Sequence, residues 1–468
     1  SEFIVGFRYT ADEAQKGGIT AEDGLKISKT LAETGQLDFL NVVRGRIHTD
    51  PAMTDLIPIQ GMKNAPHLDF AGQVKKLTGM PTFHAAKIPD VATARHAVEA
   101  GLLDMVGMTR AHMADPHVVK KIIEGREDDI RPCVGATYCL DRIYEAGDAL
   151  CIHNAATGRE LTMPHTIQPA EKKRKVVIVG AGPAGLEAAR VAAERGHNVV
   201  VFEAQPDPGG QIRLTAQSPR RREMISIIDW RMAQCAARDV EFNFNRWAEA
   251  GDVIDQKPDV VIIATGGMPN TELFETGKDS THVVTSWDII AGDVKPADSI
   301  LIYDESGDHA ALQAAEVAAN TGAKVEIMTP DRTFSAGVMA MNLVPYMRSL
   351  QDKDTTFTVA RRLLGVERRG NKLEAQIGTD YSDHSDIQEY DQVVVNYGTL
   401  PLDELYFDLK DLSSNGGSVD HDALIKGHTQ NIVKNSGGEF QLFRIGDAVS
   451  ARNTHAAIYD ALRLLKDI

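Results

Sequence analysis

The 468-residue sequence is short of several things, and each shortage narrows what the chain can be. No run of about 18 or more uncharged apolar residues occurs, so no membrane-spanning helix is expected. The first residues also lack the charged-then-apolar layout of a signal peptide. Positive charge is scarce: 50 Lys and Arg against 66 Asp and Glu leave a formal net charge of −16. No basic run offsets it except the short "EKKRK" at 171–175, which argues against nucleic acid and anionic membrane surfaces as main partners. Cysteine is scarcer still. Four in so long a chain cannot form a disulfide framework, and three of them fall within 19 residues. That clustering points to metal ligation in a reducing compartment, read as the cytoplasm. A starting methionine is missing too, and "SEFIVGFRYTADEA" opens on strand-like sequence, as expected of a fragment or of one product of a split or processed protein.

What is present is an α/β chain, 43% apolar, with room for two to four domains. Residues 1–130 alternate short apolar runs with amphipathic stretches: "FIVGFRYT" and "TAEDGLKISKTLAETG", "DFLNVVRG" and "LDFAGQVKKLTG", "PTFHAAK" and "DVATARHAVEAG", "DMVGMTR" and "DPHVVKKIIEG". These read as four strand-then-helix units, with strands buried on both faces of a parallel sheet and helices closing on glycine. Four units cannot close an eight-stranded barrel; as barrel material they are one half of it. Residues 131–160 hold the cysteines, and 161–174 form a polar, proline-bearing linker.

From Lys175 the sequence reads "KVVIVGAGPAGLEAARVAAERGHNVVVFEA". A buried strand runs into Gly180, Gly182, Ala184 and Gly185, a helix follows, and Glu203 ends the next strand about 20 residues on. The glycines permit a tight turn and close approach to a pyrophosphate, the helix N-terminus favours its charge, and the carboxylate accepts ribose hydroxyls. Gly209, Gly210 and Gln211 in "PGGQIRLTA", Thr265 and Gly266 in "IIATGG", and Gly446 and Asp447 in "RIGDA" extend this into an FAD site, with bare ADP as the lesser occupant. The FAD fold spans 175–296 and 391–468, and 297–390 is an inserted second unit. Its strand–turn–helix outline at 299–331 lacks the glycine fingerprint: Asp304, Glu305, Ser306 and Asp308 fill the turn. Carboxylates there would repel a pyrophosphate. A Rossmann-like shell that binds no nicotinamide dinucleotide is expected, unless another loop rescues an unusual site.

The loop "RPCVGATYCLDRIYEAGDALC" places Cys133, Cys139 and Cys151, with Ala136 where a C-x-x-C-x-x-C run would carry another thiolate. Three readings stay open. A 4Fe-4S cluster could take His153 of "CIHN" as its fourth ligand, a neutral donor of the kind that raises cluster potential elsewhere. A 3Fe-4S cluster needs three thiolates only. The third reading is no cluster and three idle cysteines. Cys235 in "DWRMAQCAARD" reads as packing.

The order of half-barrel, cysteine loop, dinucleotide fold, inserted second fold and terminal "FRIGDAVSARNTHAAIYDALRLLKDI" resembles the trimethylamine dehydrogenase and 2,4-dienoyl-CoA reductase group of the old yellow enzyme class. The resemblance covers essentially the whole chain. Within the group, "RPCVGATYCLDRIY", "CIHNAATGRE" and "GTLPLDELYF" are similar to the branch acting on N-methylated amino acids and betaines: dimethylglycine, N-methylproline and stachydrine demethylases. It implies a (β/α)8 TIM barrel with FMN at its mouth, a four-iron cluster after the barrel, and FAD or ADP in the first dinucleotide fold. This sequence begins around strand five, so the N-terminal barrel half is expected to be absent or supplied by a second chain.

Residue by residue, the resemblance gives Arg8 the flavin pyrimidine, where a fixed cation stabilises reduced flavin. Ala86-Lys87 and Thr109-Arg110 stand where the family shows Gly-Arg against the FMN phosphate; solvated surface cations are the alternative. Arg44, Arg46, His48 and Asp50 line the substrate side, with Arg44 or Arg46 as a carboxylate anchor or as a partner for local acids. His48 is a base or a hydrogen-bond partner, and Tyr144 an aromatic face for an ammonium group. The implied activity is oxidative N-demethylation of a small N-methylated amine, its electrons leaving through the cluster to an electron-transfer flavoprotein, in a homo-oligomer. The alternatives are an NAD(P)H-dependent reductase of activated alkenes and a non-catalytic electron-carrying fragment.

Overall fold

The computed structural model describes residues 3–271 and 283–468. Two compact units emerge: Ser1–Thr157 with Ala340–Val344, and Gly158–Met339 with Pro345–Ile468. Among the described residues no helix is long and apolar enough to cross a membrane.

The first unit is built on four parallel strands in the order β1 (Gly6–Asp12), β2 (Phe39–Arg44), β3 (Thr82–Ala85) and β4 (Met105–Gly107). Between and after them run α1 (Ala21–Glu33), α2 (Asp50–Leu56), α3 (Leu68–Thr78), α4 (Val91–Glu99), α5 (Thr109–Ala114), α6 (Val118–Ile123) and α7 (Tyr138–Tyr144). The helix signals act as expected. Thr20 and Asp23 form a capping box at the start of α1, and Gly79 ends α3 in the left-handed conformation at φ 66°. The core is one-sided. Ala11, Leu40, Val42, Ala71, Val74 and Leu103 pack between the strands and helices, whereas Phe3, Ile4, Val5, Phe7 and Met105 are exposed. Burial on both faces was the expectation, and it does not hold for β1 or β4. Four strands with helices on one side have nothing to bury their other face against. The first strand also starts three residues later than the apolar run suggests.

In the second unit, β5 (Lys175–Val179) is followed by α8 (Pro183–Glu194), β6 (Asn198–Phe202), α9 (Gln211–Thr215), β7 (Glu241–Asn243) and β8 (Val260–Ile263). With Gln441–Arg444 the strands form one parallel sheet, ordered Gln441–Arg444, β8, β5, β6, β7. β5 is central because the order reverses there, and the crevice at its carboxyl end is where such sheets bind ligands. Strands 283–285, 392–396, 299–304, 324–328 and 355–358 make a second parallel sheet, and 362–369, 372–378 and 386–390 an antiparallel one.

Behind α8 lies an ion network that the hydrophobic pattern does not announce. Glu187, 1% exposed, accepts from Arg190 at 2.7 Å and forms an ion pair with Arg231 at 2.8 Å. Trp230 lies 5.6 and 5.7 Å from the two guanidinium carbons. Arg190 also pairs with Glu194 at 2.6 Å, so removing Glu187 leaves the fully buried Arg231 without a carboxylate partner beside a second cation. Glu187→Gln should therefore destabilise this unit by about 3–5 kcal/mol, read as a lower urea midpoint by tryptophan fluorescence. A loss below about 1 kcal/mol, the surface-pair range, would contradict the assignment.

Candidate functional site

In the second unit, four segments of the sequence meet at the carboxyl end of β5. Gly180 has φ 104°, and a Cβ there would stand 2.3 Å from the Ala264 carbonyl oxygen. At Gly185 a Cβ would fall 1.8 Å from the Gly180 carbonyl oxygen. Only glycine fits either position. Gly182 caps α8, and Ala184 is buried in its first turn against Gly446, φ 64°, where a Cβ would come within 2.9 Å of the Ala184 methyl. Gly209 N–H donates to the Ala181 carbonyl at 2.8 Å, and a Cβ on Gly210 would lie 3.5 Å from Gly182. Glu203 Oε2 accepts the Ala181 amide at 2.7 Å. Gln211, 236 positions before Asp447, donates to its carboxylate at 3.0 Å, and burial raises that carboxyl above its ordinary range. Thr265 donates its hydroxyl to the Leu402 carbonyl, and Gly266 turns at φ 76°. The expected dinucleotide residues are thus brought to one crevice, with helix-terminal amides and flanking carboxylates suited to a pyrophosphate and a ribose.

The second dinucleotide-like turn is filled by the chain itself. Asp304, 1% exposed, accepts the Ser306 and Gly307 amides at 3.1 and 2.9 Å and the Asn396 side-chain amide at 2.9 Å. Burial pushes its carboxyl up to about 7. Asp308 caps Ala310 N–H at 2.8 Å at the start of the helix His309–Asn320. The amides a pyrophosphate would use already carry carboxylate oxygens.

In the first unit, Cys133, Cys139, Cys151 and His153 line one partly open cavity, together with Ala136, Arg110 and Tyr138. Cysteine loop geometry depends on left-handed backbone at Gly135 (φ 65°) and Thr137 (φ 58°). Thr137 donates to buried Asp141 at 2.9 Å, and Asn342 donates to the Ala136 carbonyl at 3.0 Å and to Thr137 at 2.7 Å. Gln60 holds Asn342 at 3.0 Å. Burial pushes the Asp141 carboxyl up to about 7. Gln60, Asp141 and Asn342 escape a reading of the sequence because Asn342 lies some 200 positions from the loop it supports.

Burial, then the Cys133 charge, pushes the Cys139 thiol up to about 11 and the Cys151 thiol up to about 12. His153, fully buried, bonds through Nδ1 to the Pro132 carbonyl at 2.9 Å. A carbonyl there requires N–H at Nδ1, which puts the neutral ring's lone pair on Nε2, the tautomer of a metal-ligating histidine. Among the described residues no three His, Cys, Asp or Glu side chains converge as ligands of a single ion; these four are spread around a shared wall. The donor set and cavity fit a polynuclear iron–sulfur group, whose ligand thiols stand apart by the width of its core. Cys235, by contrast, is buried with its sulfur against the Leu186 carbonyl at 3.8 Å, as packing requires.

The remaining candidates are scattered along the first unit. Arg8 is exposed on β1, in register with Asn41. Arg44 is committed to Asp12 at 2.8 Å and lies 5.6 Å from the Phe70 ring centre, the ion-pair alternative for this residue. Arg46 keeps a buried Nη1 with no hydrogen-bond partner. His48 and Asp50 are exposed, Asp50 opening α2. Ala86 is buried, and Lys87, buried at φ 45°, turns its ammonium onto the Met62 carbonyl. Thr109 begins α5, and Arg110 points to the cysteine cavity. Tyr144 ends α7, 59% exposed.

Residues 174–460 match the model of the pyridine nucleotide-disulphide oxidoreductase family. The chain belongs to that family. It is a flavin-dependent oxidoreductase. A probable N-methylproline demethylase of Rhizobium meliloti (strain 1021) is 68% identical over 467 residues, which is all of this chain and 69% of that protein. An N,N-dimethylglycine/sarcosine dehydrogenase of Chromohalobacter salexigens is 42% identical over 477 residues, with 100% and 69% covered. Among solved structures, 2-naphthoyl-CoA reductase in complex with 2-naphthoyl-CoA matches with a TM-score of 0.83 at 26% identity, over 99% of this chain and 65% of the other. The chain spans about two thirds of the length of each.

Two outcomes follow for this oxidoreductase. Gly185→Ala should weaken ADP binding at least tenfold by calorimetry, since the added methyl displaces the turn that faces the pyrophosphate; an unchanged affinity would put the nucleotide elsewhere. In the metal-free chain, raised thiol pKa values keep Cys139 and Cys151 protonated until the pH approaches them. At pH 8 only about one Cys139 in a thousand is thiolate, against about one in four for a free cysteine. Mass spectrometry after iodoacetamide should show both sites labelling far more slowly than a free cysteine, with rates still rising tenfold per pH unit at pH 9. Equal rates at pH 8 would contradict the buried cavity.

Proposed function

We propose that this oxidoreductase demethylates N-methylated amino acids or betaines and passes the electrons through an iron–sulfur cluster to an external carrier, an electron-transfer flavoprotein. The observation that carries the reading is the pairing of a self-filled second dinucleotide turn with a cavity of three thiols and a histidine. The first disfavours a pyridine nucleotide as electron partner, and the second offers electrons another way out. The demethylase and dehydrogenase names of the two relatives supply the substrate class.

In this reading FMN supplies the two-electron acceptor for an amine C–H bond, and water then releases formaldehyde and the shortened amine. The chain's own residues do the rest. Arg46, with its uncommitted buried nitrogen, anchors the substrate carboxylate; His48, Asp50 and Tyr144 stand around the ammonium end. Arg8 faces the flavin, while Ala86, Lys87, Thr109 and Arg110 form the phosphate side. Cys133, Cys139 and Cys151 hold the cluster, with His153 as fourth ligand in place of the absent thiolate at Ala136. FAD or ADP occupies the crevice of Gly180, Gly182, Gly185, Glu203 and Asp447. The exposed apolar residues of β1 and its approach suit the missing strands of a (β/α)8 barrel, supplied by a second chain or by a longer form of this one, in a cytoplasmic homo-oligomer. A reductase of activated alkenes is the second reading, favoured by the likeness to 2-naphthoyl-CoA reductase.

Anaerobic titration of the holoprotein, with any co-purifying polypeptide retained, separates the two readings. Dimethylglycine or N-methylproline should bleach the flavin, and NADH should not; rapid bleaching by NADH alone would overturn the demethylase reading. Ala136→Cys should place a fourth thiolate in the cavity, displace His153 and lower the cluster potential, because an anionic donor replaces a neutral one. An unchanged potential and EPR spectrum would remove His153 from the ligand set.

A further inference from the structure

Arg221 lies in the second unit on the 3-10 turn Pro219–Ile225 and is 8% exposed. Among the described residues its one hydrogen bond runs from Nη1 to the neutral side chain of Gln313 at 3.2 Å, and it enters no ion pair. Its Nε is buried with no partner. We propose that Arg221 and Ser218 form an anion site that takes a phosphate group, free or carried on a nucleotide. Neither residue belongs to the crevice at β5 or to the cysteine cavity, so the inference stands apart from the demethylase reading.

An arginine cannot shed its proton, so burial without a counter-ion leaves a desolvated charge uncompensated. The neighbouring carboxylates are spent on other groups. Asp308 accepts the Ala310 amide at 2.8 Å and the Asn396 side-chain amide at 3.0 Å, and Glu316 is paired with Arg220. The other titratable neighbours are neutral: burial and then the Arg221 charge hold the His309 ring well below its ordinary range, and burial pushes the Tyr346 hydroxyl up to about 12. A second polar group of the same turn is also left open. Ser218, the N-cap residue, is 7% exposed, and its hydroxyl has no partner. The Arg221 amide donates to the Ser218 carbonyl at 2.9 Å, and residues three apart eclipse in a 3-10 helix, which brings the hydroxyl and the guanidinium to one side of the turn. Gln313 donates its own amide to the Thr215 carbonyl at 3.0 Å, and this fixes the oxygen that holds Arg221. A planar guanidinium fork with a hydroxyl beside it offers donors in more than one plane. Tetrahedral phosphate can use them all, and a flat carboxylate cannot.

The test is calorimetric titration of the holoprotein with inorganic phosphate, AMP and acetate, at fixed pH and ionic strength in chloride, as wild type, Arg221→Gln, Arg221→Lys and Arg222→Gln. Wild type should bind phosphate or AMP saturably and acetate not at all; tighter AMP marks a nucleotide ligand, and tighter phosphate a free anion. Arg221→Gln should weaken that affinity at least tenfold and Arg221→Lys, which keeps the charge and loses the fork, by a smaller factor. Arg222→Gln, at an exposed position of the same turn, should match wild type. Thermal melting separates a ligand site from a packing role. Without phosphate, Arg221→Gln should melt no lower than wild type, since it removes an uncompensated charge, and phosphate should raise the wild-type midpoint alone. Wild type that binds neither phosphate nor AMP, acetate bound as tightly as phosphate, or an affinity that Arg221→Gln leaves unchanged overturns the inference. So does an Arg221→Gln midpoint lowered equally with and without phosphate. Should Arg221→Gln not fold, an Arg221→Lys affinity equal to wild type overturns it instead.

Discussion

Three sulfur atoms in one partly enclosed cavity cannot all be anions without a compensating positive charge. Burial and the charge of neighbouring sulfurs hold the Cys139 and Cys151 thiols above the ordinary range. The shape of the cavity is maintained by specific bonds. Left-handed backbone at Gly135 and Thr137, the Asn342 side chain on the Ala136 carbonyl, and the Gln60 contact behind it all hold the loop open around the sulfurs. In the proposed cluster site iron would supply positive charge and convert the thiols to ligands, and His153 presents the tautomer that would complete the set.

The second constraint is a contrast between two turns of similar outline. At Gly180–Gly185 the absence of Cβ atoms opens a path for a ligand to reach the backbone, and a single carboxylate, Glu203, takes one amide of the turn, that of Ala181. At Asp304–Asp308 the carboxylates sit directly on the turn's amides. The same local architecture thus yields a receptive crevice in one place and a closed shell in the other. Side-chain placement, more than fold, governs which of the two turns leaves room for a ligand at its backbone.

Much of this was legible in the sequence, for physical reasons that differ by element. Helices α1, α3, α4 and α6 carry clear amphipathic patterns closed by Gly35, Gly79, Gly101 and Gly125, all at positive φ, and their positions were readable to within a few residues. The short helices α2, α5 and α7 were not; α6 is no longer than they are, but it closes a strand-then-helix unit on Gly125. The glycine fingerprint was readable because steric exclusion of Cβ leaves no other residue possible. Partners distant in sequence were not. Nothing in "VVRGR" says that Arg44 pairs with Asp12 while Arg46 does not, nor that Lys87 turns to Met62 and Arg110 to the cysteines. Burial on both faces of the first sheet was misjudged for a related reason: apolar residues reveal what can be buried, not whether a covering layer is present.

Iron and acid-labile sulfide per chain, measured in protein purified without oxygen, decide whether the cysteine cavity holds a cluster. About three to four of each, with an EPR signal on reduction or oxidation, is the expected result. Protein containing neither would contradict the cluster reading.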